Sequence, residues 1–213
     1  FTSGIGVNAL GWCDEGWVQA VSRQAGELQH ISNLYYNPVQ TKLAEEICKA
    51  SGLSKVFFGN SGAEANECAI KLARKWGMEQ SPEKNRVVTL QNSFHGRTVT
   101  TLAATGQDEF HKWFFPFTEG FDYAPANDLA AVEKAITDKT CAVMVELIQG
   151  EGGMFLLEKE FVQGLRKLCD EKNVLLLVDE VQTGIGRTGA FYCYQNFDIL
   201  PDVVSSAKGL GGG

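Results

Sequence analysis

Positive charge is in short supply in this chain: 19 lysines and arginines face 26 aspartates and glutamates, for a formal net charge of −7, and there are only three histidines. That deficit argues against a nucleic-acid binder, which relies on a basic face. Long apolar runs are missing as well. The longest purely aliphatic stretch, VLLLV at 174–178, falls far short of the roughly 20 residues that a membrane-spanning helix requires. No C-x-x-C pair occurs; Cys13, Cys48, Cys68, Cys141, Cys169 and Cys193 lie far apart, with no close histidine companion, which argues against zinc or another bound metal. There is no internal repeat, no low-complexity linker and no visible leader. The opening at Phe1 without a methionine and the closing GLGGG are what a cut chain is expected to show, so the missing leader excludes nothing.

What the sequence does contain is a core. Hydrophobic residues make up 44% of the 213 positions, enough for one large domain or parts of two, and too many for disorder. Cys68 and Cys169 fall on the apolar faces of expected helices, and Cys141 opens an expected buried strand. Thiols used as small hydrophobes imply a reducing, cytoplasmic compartment.

Asp14 is placed to cap a helix through about His30, with Val18, Val21, Ala25 and Leu28 on one face. Pro38 suits the first turn of the next helix, which turns Leu43, Ile47 and Ala50 inward and stops at Gly52. Apolar or β-branched runs at 55–59, 86–90, 140–148, 173–180 and 202–207 read as strands covered on both faces, alternating with helices near 63–77, 127–137 and 159–172. That order predicts an α/β fold: a mainly parallel sheet with helices on both faces, right-handed crossovers, and ligands at the carboxyl ends of the strands. The aromatic cluster FHKWFFPF at 110–117 reads as core or subunit-interface packing.

The loops after those strands carry the chemistry. In LLLVDEVQTGIGRTG, residues 175–189, the G-x-G-x-x-G makes a poor dinucleotide turn, because the glycines come late and no long amphipathic helix follows. Asp179, at the carboxyl end of the strand, is more informative, since a buried acid needs a cationic partner. The turn Ser61-Gly62-Ala63 opens a helix whose inner face is expected to use Ala65, Cys68, Ala69, Leu72 and Trp76. It reads either as a phosphate site or as an ordinary N-cap with Glu64 closing a capping box. In QNSFHGRT, Phe94 or His95 could stack on a planar ring and Arg97 could grip a carboxylate; the plainer readings are a structural histidine and a surface ion pair. Glu146 lies within the expected 140–148 strand, Glu151 in the glycine-rich QGEGG after it, and Gln182 beyond Asp179. Lys208, on the final glycine-rich turn, is a surface residue or a Schiff-base lysine. A phosphate cradle, a stacking aromatic, an acid, an amide and a lysine at one sheet edge are together the set that pyridoxal 5'-phosphate needs.

GNSGAEANECAIKLARKW, NSFHGRT, ELIQGEGG, LLLVDEVQTGIGRTG and PDVVSSAKGLGGG resemble, in order and spacing, the class III aminotransferases of fold type I. FTSGIGVNALG and HISNLYYNP are similar to the acetylornithine branch of that family. The resemblance implies that Lys208 forms the Schiff base, Asp179 partners the pyridine nitrogen, Gln182 bonds near the phenolic oxygen, and Val181 and Phe94 lie on the two ring faces. It implies that Ser61, Gly62 and Ala63 hold the phosphate, that His95 adjoins the cofactor, that Arg97 anchors a substrate carboxylate and that Glu151 is a gating acid. It also implies an N-terminal segment 1–37 that contributes to the site or dimer, and a cofactor-binding large domain over 38–213 that lacks its small C-terminal partner. The implied reaction moves the δ-amino group of N2-acetylornithine to 2-oxoglutarate in a cytoplasmic homodimer of arginine biosynthesis; a sister ω-aminotransferase and an inactive fragment are the alternatives.

Overall fold

The computed structural model describes residues 2–212; Phe1 and Gly213, the outermost letters of the first and last motifs, lie outside the described residues. The chain forms two compact units: the residues up to Val56 together with the segment from Lys208, and Phe57–Ala207. The expected shares of 1–37 and 38–213 concern what each contributes to a site, which compactness does not address.

In the first unit, α1 (Ser3–Gly6) is a single turn in which Gly4 and Ile5 take left-handed angles, with φ of 64° and 60°. Helix α2 (Glu15–Glu27) begins as expected, Asp14 Oδ1 accepting the Trp17 N–H at 2.8 Å and so satisfying one of the free donors of a helix start. Helix α3 (Pro38–Ser51) has its proline in the first turn, an Asn37 cap, and Gly52 closing it in the left-handed region at φ 72°. The helix faces differ from expectation. Val18 and Val21 are 44% and 48% exposed and Leu43 is 41% exposed, and along α2 and α3 only Ser51 is buried. Helical spacing located apolar stripes without specifying what covers them. A 3₁₀ turn, Lys208–Gly211, belongs to the same unit, and its Gly211 carbonyl accepts from Trp17 Nε1 at 3.0 Å.

The second unit runs α4 (Gly62–Met78), β1 (Arg86–Leu90), α5 (Val99–Ala104), β2 (Phe121–Ala124), α6 (Leu129–Ala135), β3 (Thr140–Val145), β4 (Ile148–Gln149), β5 (Phe155–Leu156), α7 (Lys159–Lys172), β6 (Leu175–Asp179) and β7 (Val203–Ser205). Five strands form one parallel sheet in the order β2-β1-β3-β6-β7, while β4 and β5 make a small antiparallel ribbon. Alternation along each strand sends side chains to opposite faces. Val88, Val143, Val145, Leu176 and Val178 pack with Val132 of α6 and with Phe161, Leu165 and Cys169 of α7. Val87, Ala142, Met144 and Leu177 pack with Ala69, Ile70 and Ala73 of α4 and with Ala104 of α5. The predicted α/β architecture, with helices on both faces, is what the chain adopts.

Four local expectations differ. Residues 55–59 form no strand, and Phe57 is 71% exposed; β-propensity without a ladder partner makes no strand. The edge strand β2 was not foreseen, because FDYA is short and half polar, yet it pairs with β1 throughout. The 140–148 run breaks at Glu146: β3 ends at Val145, and Ile148 and Gln149 turn away into the ribbon. The buried row of α4 is Asn66, Ala69, Ile70, Ala73 and Gly77, with Leu72 50% exposed. The small residues Ala69, Ala73 and Gly77 let the helix lie close to the sheet, which turns Leu72 and Trp76 outward.

Candidate active site

A parallel sheet brings all its carboxyl ends to one edge, and here Asp179 ends β6 in register with Ser205, which ends β7. Asp179 is only 4% exposed. Its Oδ2 accepts from Asn66 Nδ2 at 2.7 Å and from His95 Nδ1 at 2.9 Å; its Oδ1 accepts from the Val181 N–H at 3.0 Å and from Ser205 Oγ at 3.4 Å. An ionised carboxylate can satisfy all four donors. The bond to Ser205 is the longest, so Oδ1 keeps the most capacity for a further partner. With Oδ2 as acceptor, the geometry places a proton on His95 Nδ1. His95 Nε2 and Asn66 Oδ1 are buried with no partner among the described residues. The cluster is an oriented, buried acid whose one ionisable partner among the described residues is His95.

Next to it lies the start of α4. Ser61 caps the helix, its Oγ accepting from the Glu64 N–H at 3.2 Å. The expected capping box does not close: the Glu64 carboxylate turns to the Asn60 side chain and backbone N–H, and these two bonds hold its carboxyl below the ordinary range. The first intrahelical bond is Ala65 N–H to Ser61 O, 2.9 Å, so the N–H groups of Gly62 and Ala63 face out of the helix start, where an anion is favoured. A Cβ at Gly62 would stand 2.8 Å from Val181 Cγ1, and one at Gly150 would stand 1.8 Å from Gln182 Oε1. A side chain at Gly62 would press on Val181, and one at Gly150 would displace the Gln182 amide, so the two glycines let the loop after β6 lie close to the start of α4 and to the QGEGG loop.

The third loop, after β1, presents Phe94 and His95. The Phe94 N–H donates to Glu146 Oε2 at 2.8 Å, and the His95 N–H donates to Thr105 Oγ1 at 3.0 Å. The Phe94 ring centroid lies 5.6 Å from that of Phe110, and the Arg97 guanidinium lies 6.0 Å and 5.8 Å from the two rings. Arg97 is exposed and has no ion-pair partner among the described residues, against its surface-pair reading. His95 is 2% exposed with its ring on Asp179, so it is a prop for the acid and offers no stacking face. Glu151 is exposed. Lys208, in the first unit, is half-buried with φ 46°.

Phe94, His95, Asp179, Val181, Gln182 and the Gly62 turn are thus linked through direct contacts. Sequence reasoning missed Asn66 and Ser205, and left Glu146 inside a strand. The signal for Asn66 was present: a polar residue one position from the presumed apolar row of α4. Burial pushes the Glu146 carboxyl up to about 7, with His95 drawing it down and Asp179 driving it further up. Burial also raises Glu180, which Thr183 Oγ1 and the Tyr194 N–H tie in place. The GIGRTG segment forms turns leading to a 3₁₀ stretch, Cys193–Phe197, which rules out the strand-turn-helix that a dinucleotide fingerprint needs. Two clefts of about 220 and 600 Å³, one beside Phe115 and Phe121, the other beside Arg86 and Asp122, share no residue with the Asp179 cluster.

Free N–H groups at a helix start beside a buried, oriented carboxylate, both at the edge of a doubly wound sheet, are the features that an anionic group and a protonated ring nitrogen call for. The chain belongs to the class-III aminotransferase family, whose model matches residues 1–213. It is 52% identical to the acetylornithine aminotransferase of Haemophilus ducreyi, over 100% of this chain and 55% of that protein. It is 49% identical to the succinylornithine transaminase of Yersinia pseudotuberculosis, over 100% and 53% of the two chains. The ornithine aminotransferase structure from Toxoplasma gondii superposes with a TM-score of 0.94 at 34% identity, covering 100% of this chain and 52% of that one. The chain therefore spans about half the length of the relatives it matches. The family depends on pyridoxal 5'-phosphate, and the donor set fits that group: free N–H groups at Gly62 and Ala63 for phosphate, and the oriented Asp179 for a protonated ring nitrogen.

Proposed function

We propose that this chain carries the large-domain part of a transaminase site that moves the δ-amino group of N2-acetylornithine to 2-oxoglutarate, in a cytoplasmic homodimer serving arginine biosynthesis. The observation that carries the reading is Asp179: a buried carboxyl group oriented by Asn66, His95, Val181 N–H and Ser205 at the carboxyl end of β6. When bound, pyridoxal 5'-phosphate supplies an aldehyde to which an amine attaches and a ring that withdraws electrons from it. Asp179 would favour the protonated form of the ring nitrogen. Gly62 and Ala63 bind phosphate through their N–H groups, with Ser61 fixing the turn; Val181 and Phe94 pack the ring faces, and Gln182 bonds near the phenolic oxygen. Lys208 Nζ would be the amine that holds the cofactor's aldehyde and, when free of it, would move a proton at the substrate carbon. Arg97, without a carboxylate partner among the described residues, anchors the substrate carboxylate in a bidentate fork, and the exposed Glu151 is the gating acid. These roles follow the family motifs position by position.

The test is direct. Added pyridoxal 5'-phosphate produces an absorbance band near the visible edge, and borohydride fixes the label at Lys208 by peptide mapping; label spread over surface lysines, or saturable NAD binding in its place, overturns the proposal. A sister ω-aminotransferase acting on ornithine is the second reading. Gly4 speaks against it: the ornithine branch tends to place tyrosine there, and the φ of 64° at this residue is strained for any side chain.

A further inference from the structure

We propose that Glu146 is a positioning residue that pins the turn carrying Phe94 and His95, and through that turn fixes both the ring packing of Phe94 and the hydrogen bond that orients Asp179. The inference deepens the reading of Asp179 and Phe94 as cofactor contacts and rests on it.

Glu146 stands where β3 ends, 6% exposed. A carboxylate in that position is costly unless bonded, and its bond is to the turn: Oε2 accepts the Phe94 N–H at 2.8 Å. The same turn is held at His95 by two further anchors, the Thr105 hydroxyl at the N–H and Asn66 Nδ2 at the carbonyl, 3.0 Å and 2.8 Å. Of these three anchors only Glu146 can change charge. The residue it pins begins a two-residue stretch whose side chains diverge in role: Phe94 toward Phe110 and Arg97, His95 onto Asp179. Removing the acceptor orphans a part-buried N–H and loosens both.

The charged groups acting on Glu146 are His95, on the pinned turn, and Asp179, at the end of β6; the Gly150 N–H on the following loop also favours its ionised form. Its carboxyl, displaced to about 7 chiefly by burial, changes charge near neutrality. A second negative charge then faces the imidazole, so the ionisation is felt at His95.

Two readouts on the whole chain test this. With only three histidines, ¹⁵N-histidine spectra resolve His95, whose Nδ1 and Nε2 shifts are expected to inflect at about pH 7 in the wild type and to lose that inflection in Glu146→Gln. Glu146→Gln keeps an acceptor for Phe94 and is expected to bind pyridoxal 5'-phosphate within about threefold of wild type, whereas Glu146→Ala weakens it by about tenfold, the scale of one orphaned donor. An inflection that persists in Glu146→Gln, or Glu146→Ala binding within threefold of wild type, overturns the proposal. Should Glu146→Ala fail to fold, the Gln spectra still decide it. A wild type that binds no pyridoxal 5'-phosphate defeats the proposed function alone, because the His95 inflection is read without cofactor.

Discussion

Leu177 and Asp179 lie two positions apart on β6 and are buried to nearly the same degree, 1% and 4% exposed, yet their surroundings obey opposite rules. Leu177 is enclosed by Ala69, Ile70, Met144 and other apolar groups, and its burial follows from transfer out of water. Asp179 is enclosed by polar donors, each delivered by a different element: Asn66 from α4, His95 from the turn after β1, Ser205 from β7. The bodies of the strands are almost wholly apolar, Thr89 of β1 being an exception whose buried hydroxyl has no partner among the described residues, whereas their carboxyl ends collect a cluster of buried polar groups around one acid. A sheet that gathers its buried acid and that acid's donors at one edge is displaying a site.

The sharpest way to break the comparison is to remove charge at the edge. In Asp179→Asn, made in a full-length parent enzyme, amine-transfer turnover is expected to fall by about three decades, since an ion pair near 4 Å at an effective dielectric of about 20 is worth about 4 kcal/mol. Borohydride should still fix the cofactor at Lys208, because the lysine's chemistry does not pass through Asp179. Steady-state kinetics together with peptide mapping read both; unchanged turnover would remove Asp179 from its role.

A cut in the body should do the reverse. Leu165 of α7 is fully buried against the sheet, and Leu165→Ala is expected to cost about 3 kcal/mol, lowering Tm by roughly 6–12 °C for a chain of this size. Well below that Tm, cofactor affinity should match wild type. If affinity fell along with stability, body and edge would be one cooperative entity, and the division drawn between them would fail.

The strand bodies were legible for the reason they are stable: periodic apolar runs such as RVVTL and VLLLV specify burial without reference to anything remote. The α/β class, the capping by Asp14 and Asn37 and the end of α3 at Gly52 are all local or nearly local consequences. The edge was legible only in part. Asp179, His95 and Gly62 stand in short motifs, but Asn66 and Ser205 reach Asp179 across 113 and 26 positions of sequence, and no window of pattern contains such a bond. The break at Glu146 was hidden because TCAVMVELI stays apolar past it, and the turn is dictated by a hydrogen bond to Phe94 that lies 52 positions away. In the first unit the stripes of α2 and α3 were readable, while their exposure, with Val21 at 48%, depends on what else covers them.

The smallest effect lies where body and edge meet, at the first turn of α4. Ser61 has two roles in prospect: it caps the helix through Glu64 N–H, and it belongs to the turn assigned to phosphate. As a cap alone, Ser61→Ala should cost about 1 kcal/mol in the apo protein, or roughly 2–4 °C in Tm. Since Gly62 and Ala63 offer backbone N–H groups that the substitution leaves in place, cofactor affinity should drop only through looser geometry of the turn, by about threefold or less, well short of the tenfold that one lost buried bond commands. Calorimetry of the apo protein and a cofactor titration separate the two. An apo Tm equal to wild type together with a tenfold loss of affinity would mean that the hydroxyl itself holds the ligand and that Ser61 belongs to the edge, not to the body of the helix it opens.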